Sequence, residues 1–150
     1  MPPEGNLKRF RPILTASLLV LAPAAIQADD SFSFRLAPGP RLVGTRALSS
    51  GSGTISARLS GDMLRLEGRY QGLLGVPSAA RLLMSEAPGV RGPAIADLTV
   101  SSARDGTISG SMRLNEEQRA AFRKGALYVE IDSADAPEGD LWGWAMPALK

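Results

Sequence analysis

Residues 54–70 read TISARLSGDMLRLEGRY, and this stretch decides the fold. Ile55, Ala57 and Leu59 alternate with Thr54, Ser56 and Arg58. After the turn Ser60-Gly61-Asp62, Leu64, Leu66, Gly68 and Tyr70 alternate with Arg65, Glu67 and Arg69. A period of two with one apolar face is the pattern of an antiparallel sheet wetted on one side. The two runs form a hairpin.

The same rhythm continues on both sides of it. Phe32, Phe34 and Leu36 alternate with serine and arginine and predict a first strand. Residues 38–53 are rich in Gly, Pro and Ser and read as a long loop or irregular edge, where Pro38 and Pro40 argue against a central strand. Leu82–Met84 is a brief apolar run before the turn-rich Ala87-Pro88-Gly89-Val90-Arg91-Gly92-Pro93, and Ala94–Val100 reads as another strand. Asp105-Gly106 signals a tight turn, after which Ile108, Gly110, Met112 and Leu114 alternate with polar residues. Leu127, Val129 and Ile131 alternate with Tyr128, Glu130 and Asp132. After the turn at Pro137-Glu138-Gly139, Leu141, Gly143 and Ala145 alternate with Trp142, Trp144 and Met146.

One short helix interrupts the strands. Asn115 is a good N-cap and Gln118 completes a capping box. Glu116 and Glu117 sit at the positive end of the helix dipole, Arg123 and Lys124 at the negative end, and Gly125 stops the helix. Such a short helix is not stable alone, so Ala120, Ala121 and Phe122 are expected to dock onto the sheet. Seven or eight strands, frequent turns and no βαβ rhythm predict an all-β, antiparallel, immunoglobulin-like sandwich with one short helix.

Residues 1–28 look like a signal peptide. Lys8, Arg9 and Arg11 precede the apolar run Ile13–Ile26, and cleavage is expected after Ala28. The run is too short to span a membrane comfortably, since a transmembrane helix needs roughly 20 apolar residues. The mature part, residues 29–150, is expected to be a single domain without a transmembrane segment, periplasmic or secreted. Three of the 17 basic and one of the 15 acidic residues fall in the first 28, which leaves 14 of each and no net charge in the mature chain. The basic residues are spread singly along strands, so no nucleic-acid partner is expected.

The chain has no histidine and no cysteine. It therefore lacks the usual soft metal ligands, the usual general base and the usual strong nucleophile, and no disulfide can staple it. No G-x-S-x-G elbow is present, and nothing in the carboxylate spacing selects a glycosidase pair. No enzyme activity and no cofactor are expected. Glu130 to Asp140 is acidic without a base, so Asp132, Asp135, Glu138 and Asp140 are the candidates for a hard cation such as Ca²⁺; a solvated strand face and polar turn is the preferred reading. Tyr128, Trp142 and Trp144 are the candidate interaction surface, for a partner or a carbohydrate. Against that, two tryptophans are costly to leave wet, so their face is expected to be the core, with Leu141, Gly143 and Ala145 outside; the choice is a one-residue question of register.

Four segments together resemble the C-terminal half of the CHRD domain, named from chordin: residues 105–111 (DGTISGS), 114–118 (LNEEQ), 125–131 (GALYVEI) and 137–143 (PEGDLWG). Upstream, Gly53–Leu59, Leu64–Leu73 and Gly89-Val90-Arg91-Gly92-Pro93 also fit, and the resemblance covers roughly residues 32–147. It implies a sandwich similar to the copper/zinc superoxide dismutase fold. Many members carry an H-x-H pair before the G-x-n-G-P turn and another histidine after Y-V-N-I. Here the pair falls around Arg81–Met84 and the later histidine falls on Asp132, while the family's arginine before the final glycine falls on Trp142. A metal held through those histidines cannot be held the same way here. The expectation is an exported, non-enzymatic, metal-free module that binds an unknown protein or envelope component. The alternatives are a carboxylate-based metal-binding or dismutase-like protein and a carbohydrate-binding module.

Overall fold

The computed structural model describes residues 29–39 and 50–147. The expected signal segment, its cleavage after Ala28 and residues 40–49 of the predicted loop lie outside the described residues.

Nine strands and one helix follow in the order β1 (Asp30–Pro38), β2 (Ser52–Ser60), β3 (Met63–Gln71), β4 (Pro77–Met84), β5 (Ala94–Asp97), β6 (Thr99–Val100), β7 (Gly106–Arg113), α1 (Glu116–Arg123), β8 (Leu127–Ser133) and β9 (Ala136–Trp144). All pairings are antiparallel, in the spatial order β5-β4-β8-β9-β1-β2-β3-β7-β6. β1 joins the two halves: Asp30–Leu36 pair with β2, and Ala37 and Pro38 pair with β9. At the other side the predicted strand Ala94–Val100 is split at Leu98. β5 lies on β4 and β6 on β7, while the Leu98 amide donates to the Ala80 carbonyl at 2.8 Å. The sheet thus nearly closes on itself around the core.

The hairpin forms as its pattern dictates. Leu59 opposes Leu64, Ala57 opposes Leu66, and all four are buried. Gly61 makes the turn at φ 62°, a left-handed conformation that costs glycine little. Phe34, Leu36, Ile55, Ile108, Leu127, Val129, Ile131 and Leu141 complete the interior with them. A core of this extent, burying aliphatic side chains at roughly 25 cal/mol per Å² of apolar surface, takes the place of disulfides.

α1 has the predicted capping box. The Gln118 amide donates to Asn115 Oδ1 at 2.8 Å, and the Asn115 amide donates to Gln118 Oε1 at 3.0 Å. Phe122 is buried and stacks on Phe32, with ring centres 4.6 Å apart. Ala121 is half-buried, but Ala120 is exposed, contrary to expectation, because so short a helix offers only a narrow inward stripe. Pro38 also departs from expectation. It is a strand residue, paired with Leu141. It ends β1, and the Gly39 amide resumes the ladder by donating to the Asp140 carbonyl at 3.1 Å, so the missing proline N–H costs one bond only.

The register of β9 is the reverse of the one preferred from sequence. Leu141, Gly143 and Ala145 face the core, and Trp142 and Trp144 stand half-buried on the outside. The reason is the crossing of β1. A Cβ on Gly143 would lie 2.3 Å from the Arg35 carbonyl oxygen and 2.9 Å from Leu36 Cδ2, so only a residue without a side chain fits inward there. The small residues mark a tight interior, not a wet exterior.

Candidate functional site on the outer face of β8

β8 is buried along its whole length. Leu127, Val129 and Ile131 enter the core. Tyr128, Glu130 and Asp132 point the other way, yet they too are buried. What covers them is the segment that links β4 to β5, together with the tryptophans of β9. The Gly92 amide donates to the Tyr128 hydroxyl at 3.0 Å, the Met84 amide to the Pro93 carbonyl at 3.0 Å, and the Ser85 amide to the Ala126 carbonyl at 2.9 Å. These bonds fasten both ends of the segment. Gly92 is required by close approach: a Cβ there would sit 1.8 Å from the Met84 carbonyl oxygen. Gly92→Ala is therefore expected to displace the cover and destabilise by about 1–3 kcal/mol or more, as overpacking does; chemical denaturation with tyrosine and tryptophan fluorescence measures it, and an unchanged midpoint would contradict it.

Two arginines cap the buried carboxylates. Arg81, on β4, donates through Nη2 to Asp132 Oδ2. Arg91, in the covering segment, donates through Nη1 to Glu130 Oε2 at 3.1 Å and through Nη2 to the Glu138 carbonyl. The carboxylates are 4% and 5% exposed, the arginines 36% and 44%, so each cation forms the lid over an anion beneath it. Arg81 is held above its usual pKa by its hydrogen bond and charge pairing with Asp132. Glu130 is pushed above the ordinary glutamate value, first by burial, against the opposing pull of Arg91, and further by the charge of Asp132.

The direction of the Glu130 shift fixes the sign of a pH effect. A carboxyl whose folded pKa is raised binds its proton more tightly in the folded state. Its stabilising contribution is full below the unfolded pKa and is lost as pH rises through the folded one. Asp140 is displaced the same way, by burial, against the Ser133 hydroxyl that hydrogen-bonds it. The wild-type chain is expected to gain stability relative to Glu130→Gln as pH falls from neutral towards the ordinary carboxylate range. Melting curves across that range test it, and parallel pH profiles for the two proteins would contradict it.

The aromatic side chains complete the face. Tyr128 and Trp144 lie 4.4 Å apart between ring centres, and Trp142 stands edge-on to both at 6.0 Å. Tyr128, named from sequence with the two tryptophans, is fully buried beneath them and offers no surface of its own. Trp142 and Trp144 cross at 68°, so they do not form one flat platform of the kind that stacks a sugar ring.

The four acidic residues singled out from sequence do not converge. Asp132 is taken by Arg81. Asp140 accepts from the Ser133 hydroxyl at 2.8 Å in the interior. Asp135 is exposed in the turn, which lies at Ala134-Asp135 rather than at Pro137-Glu138-Gly139, and Glu138 is exposed on β9. Among the described residues no three Asp or Glu side chains gather as a metal cage would require. The sequence reading gave Arg81 and Arg91 no role and did not pair Glu130 or Asp132 with them. The available signal was Arg81 and Asp132, opposite charges at the two places where the resemblance sets histidines.

A family model for the CHRD domain matches residues 32–143. The chain belongs to the CHRD domain family. It matches no curated protein and no solved structure. In this CHRD domain β4 and β8 are adjacent strands, with Ala79 opposite Asp132 and Arg81 opposite Glu130. The stretch that corresponds to the family's H-x-H pair and the position of its later histidine are thus neighbours in space. Here the two strands are linked by a guanidinium–carboxylate pair. A guanidinium cannot ligate a metal, and its charge repels a cation; these residues do not fit the metal that histidines would hold. No helix among the described residues is long and apolar enough to cross a membrane.

Proposed function

We propose that this CHRD domain is an exported, non-enzymatic and metal-free module that binds another protein or an envelope component through the outer face of β4, β8 and β9. Export is supported by the signal-like residues 1–28 and by the family, whose domains are typically extracellular or secreted. The observation that carries the binding reading is the half-exposed pair Trp142 and Trp144, standing on buried Tyr128 and flanked by the arginine lids. Tryptophan and arginine are among the side chains most enriched at the anchoring positions of protein interfaces, tryptophan for its large rigid contact area and arginine for its planar fork of donors. Catalysis finds little support. Both buried carboxylates of the face are neutralised by arginines, and the chain has no imidazole or thiol to move a proton or attack a carbonyl.

Site-specific photocrosslinking in the native envelope tests this reading. A photoreactive residue in place of Trp142 is expected to give one defined adduct that disappears when Trp144→Ala is added. The same residue at Glu116, exposed at the start of α1, is expected to give none. Equal adducts from both positions, or none from position 142, would contradict the assignment of the face.

A further inference from the structure

The outer face of the other half of the sheet, β1-β2-β3-β7-β6, carries a pattern that the sequence hides. Antiparallel register sets Arg35, Thr54, Arg69 and Thr107 side by side across β1, β2, β3 and β7. The next outward row is Ser33, Ser56, Glu67, Ser109 and Thr99, and the one after it is Ser31, Arg58, Arg65 and Ser111. Every one of these residues is exposed. With strands ~4.8 Å apart and ~3.4 Å of rise per residue, Arg35 and Arg69 stand about 10 Å from each other, and the two arginine rows about 13 Å apart. Cations that look scattered along the chain are drawn into a lattice by the pairing.

The charge of this lattice is answered locally for only two of its four arginines. Glu67 is the single acid within the three rows, 3.9 Å from Arg65, and Asp29 reaches Arg58 at 3.6 Å. Arg35 and Arg69 have no carboxylate partner among the described residues. The sequence holds no Asp or Glu between Asp30 and Asp62. Over the first row opens a cleft of about 1060 Å³, lined by Arg35, Thr54, Arg69, Gln71 and Thr107. Asp105 also borders it, with Oδ1 engaged by the Gly72 amide at 2.6 Å.

We infer that the Arg35–Thr54–Arg69–Thr107 row is a docking surface for an anionic polysaccharide. Guanidinium forks bind sulfate, phosphate or carboxylate groups in pairs of parallel hydrogen bonds, and the intervening hydroxyls donate to and accept from sugar hydroxyls. A nucleic acid suits the rows less well, because they offer no aromatic ring on which a base could stack. A peptide strand cannot add at β2 or β3, whose two edges are both paired, and strand addition at an outer edge would use backbone groups and not the outward side chains of these rows. The inference concerns a face separate from that of Trp142 and Trp144 and stands or falls independently of it.

The test measures binding of the full chain to dextran sulfate, to neutral dextran of equal length and to a single-stranded oligonucleotide. Dextran sulfate is expected to bind and neutral dextran not to. The pair Arg35→Gln and Arg69→Gln is expected to weaken dextran sulfate binding about tenfold and to flatten its salt dependence, as removal of two phosphate-type contacts does. Arg119→Gln with Lys124→Gln takes the same charge from the helix and is expected to change affinity less than about twofold, the residual non-local electrostatic effect. Absence of dextran sulfate binding, equal losses in the two double variants, or tighter binding of the oligonucleotide would each overturn the inference.

Discussion

Phe122→Ala is expected to destabilise the domain by ~3–5 kcal/mol, the usual scale for truncating a buried aromatic. Phe122 is 1% exposed and stacks on Phe32, which belongs to the opposite end of the chain. The ring is the principal inward contact of α1, the helix with the capping box. A helix of this length has almost no stability of its own, so loss of the ring frees the helix and opens the core above Phe32. Urea denaturation of the two proteins measures the difference. A loss below about 1 kcal/mol, small against the ~3–5 kcal/mol of a core aromatic, would mean that the helix is peripheral.

Arg81→Leu is expected to cost about 2–3 kcal/mol. Removing one partner from a fully buried ion pair costs ~3–5 kcal/mol, because the other charge is left without compensation. Arg81 is 36% exposed, so water answers part of that loss, and the figure is lowered accordingly. Asp132, at 4% exposed, cannot reach water by itself. Adding Asp132→Leu to the same chain is expected to recover most of the stability, since a matched apolar pair does without the burial of charge. The double-mutant cycle reads the coupling directly. A double variant no more stable than Arg81→Leu alone would show that the pair is not a unit.

The hairpin was legible in residues 54–70 because one of its faces is wet, and alternation then speaks plainly. The same was true of the helix, where Asn115 and Gln118 announce the cap. β8 was not legible in that way. Tyr128, Glu130 and Asp132 alternate with Leu127, Val129 and Ile131 as a solvated face would, yet the link from β4 to β5 folds over them. Polarity here reports arginine lids, and lids come from distant sequence. β9 misled for a related reason. Burial was inferred from side-chain size, whereas the space left by the crossing of β1 admits only Gly143 and its small neighbours. The arginine rows escaped notice because charge density depends on register, and register joins residues as far apart as Arg35 and Arg69.

The central proposal is that the face onto which the histidine positions of the resemblance fall, closed here by an arginine–carboxylate pair, binds no metal. Elemental analysis of the full chain, purified from its native compartment without chelator, tests this most directly. The account predicts no copper, zinc or calcium in stoichiometric amount. One tightly held ion per chain, lost on Asp132→Ala, would contradict it.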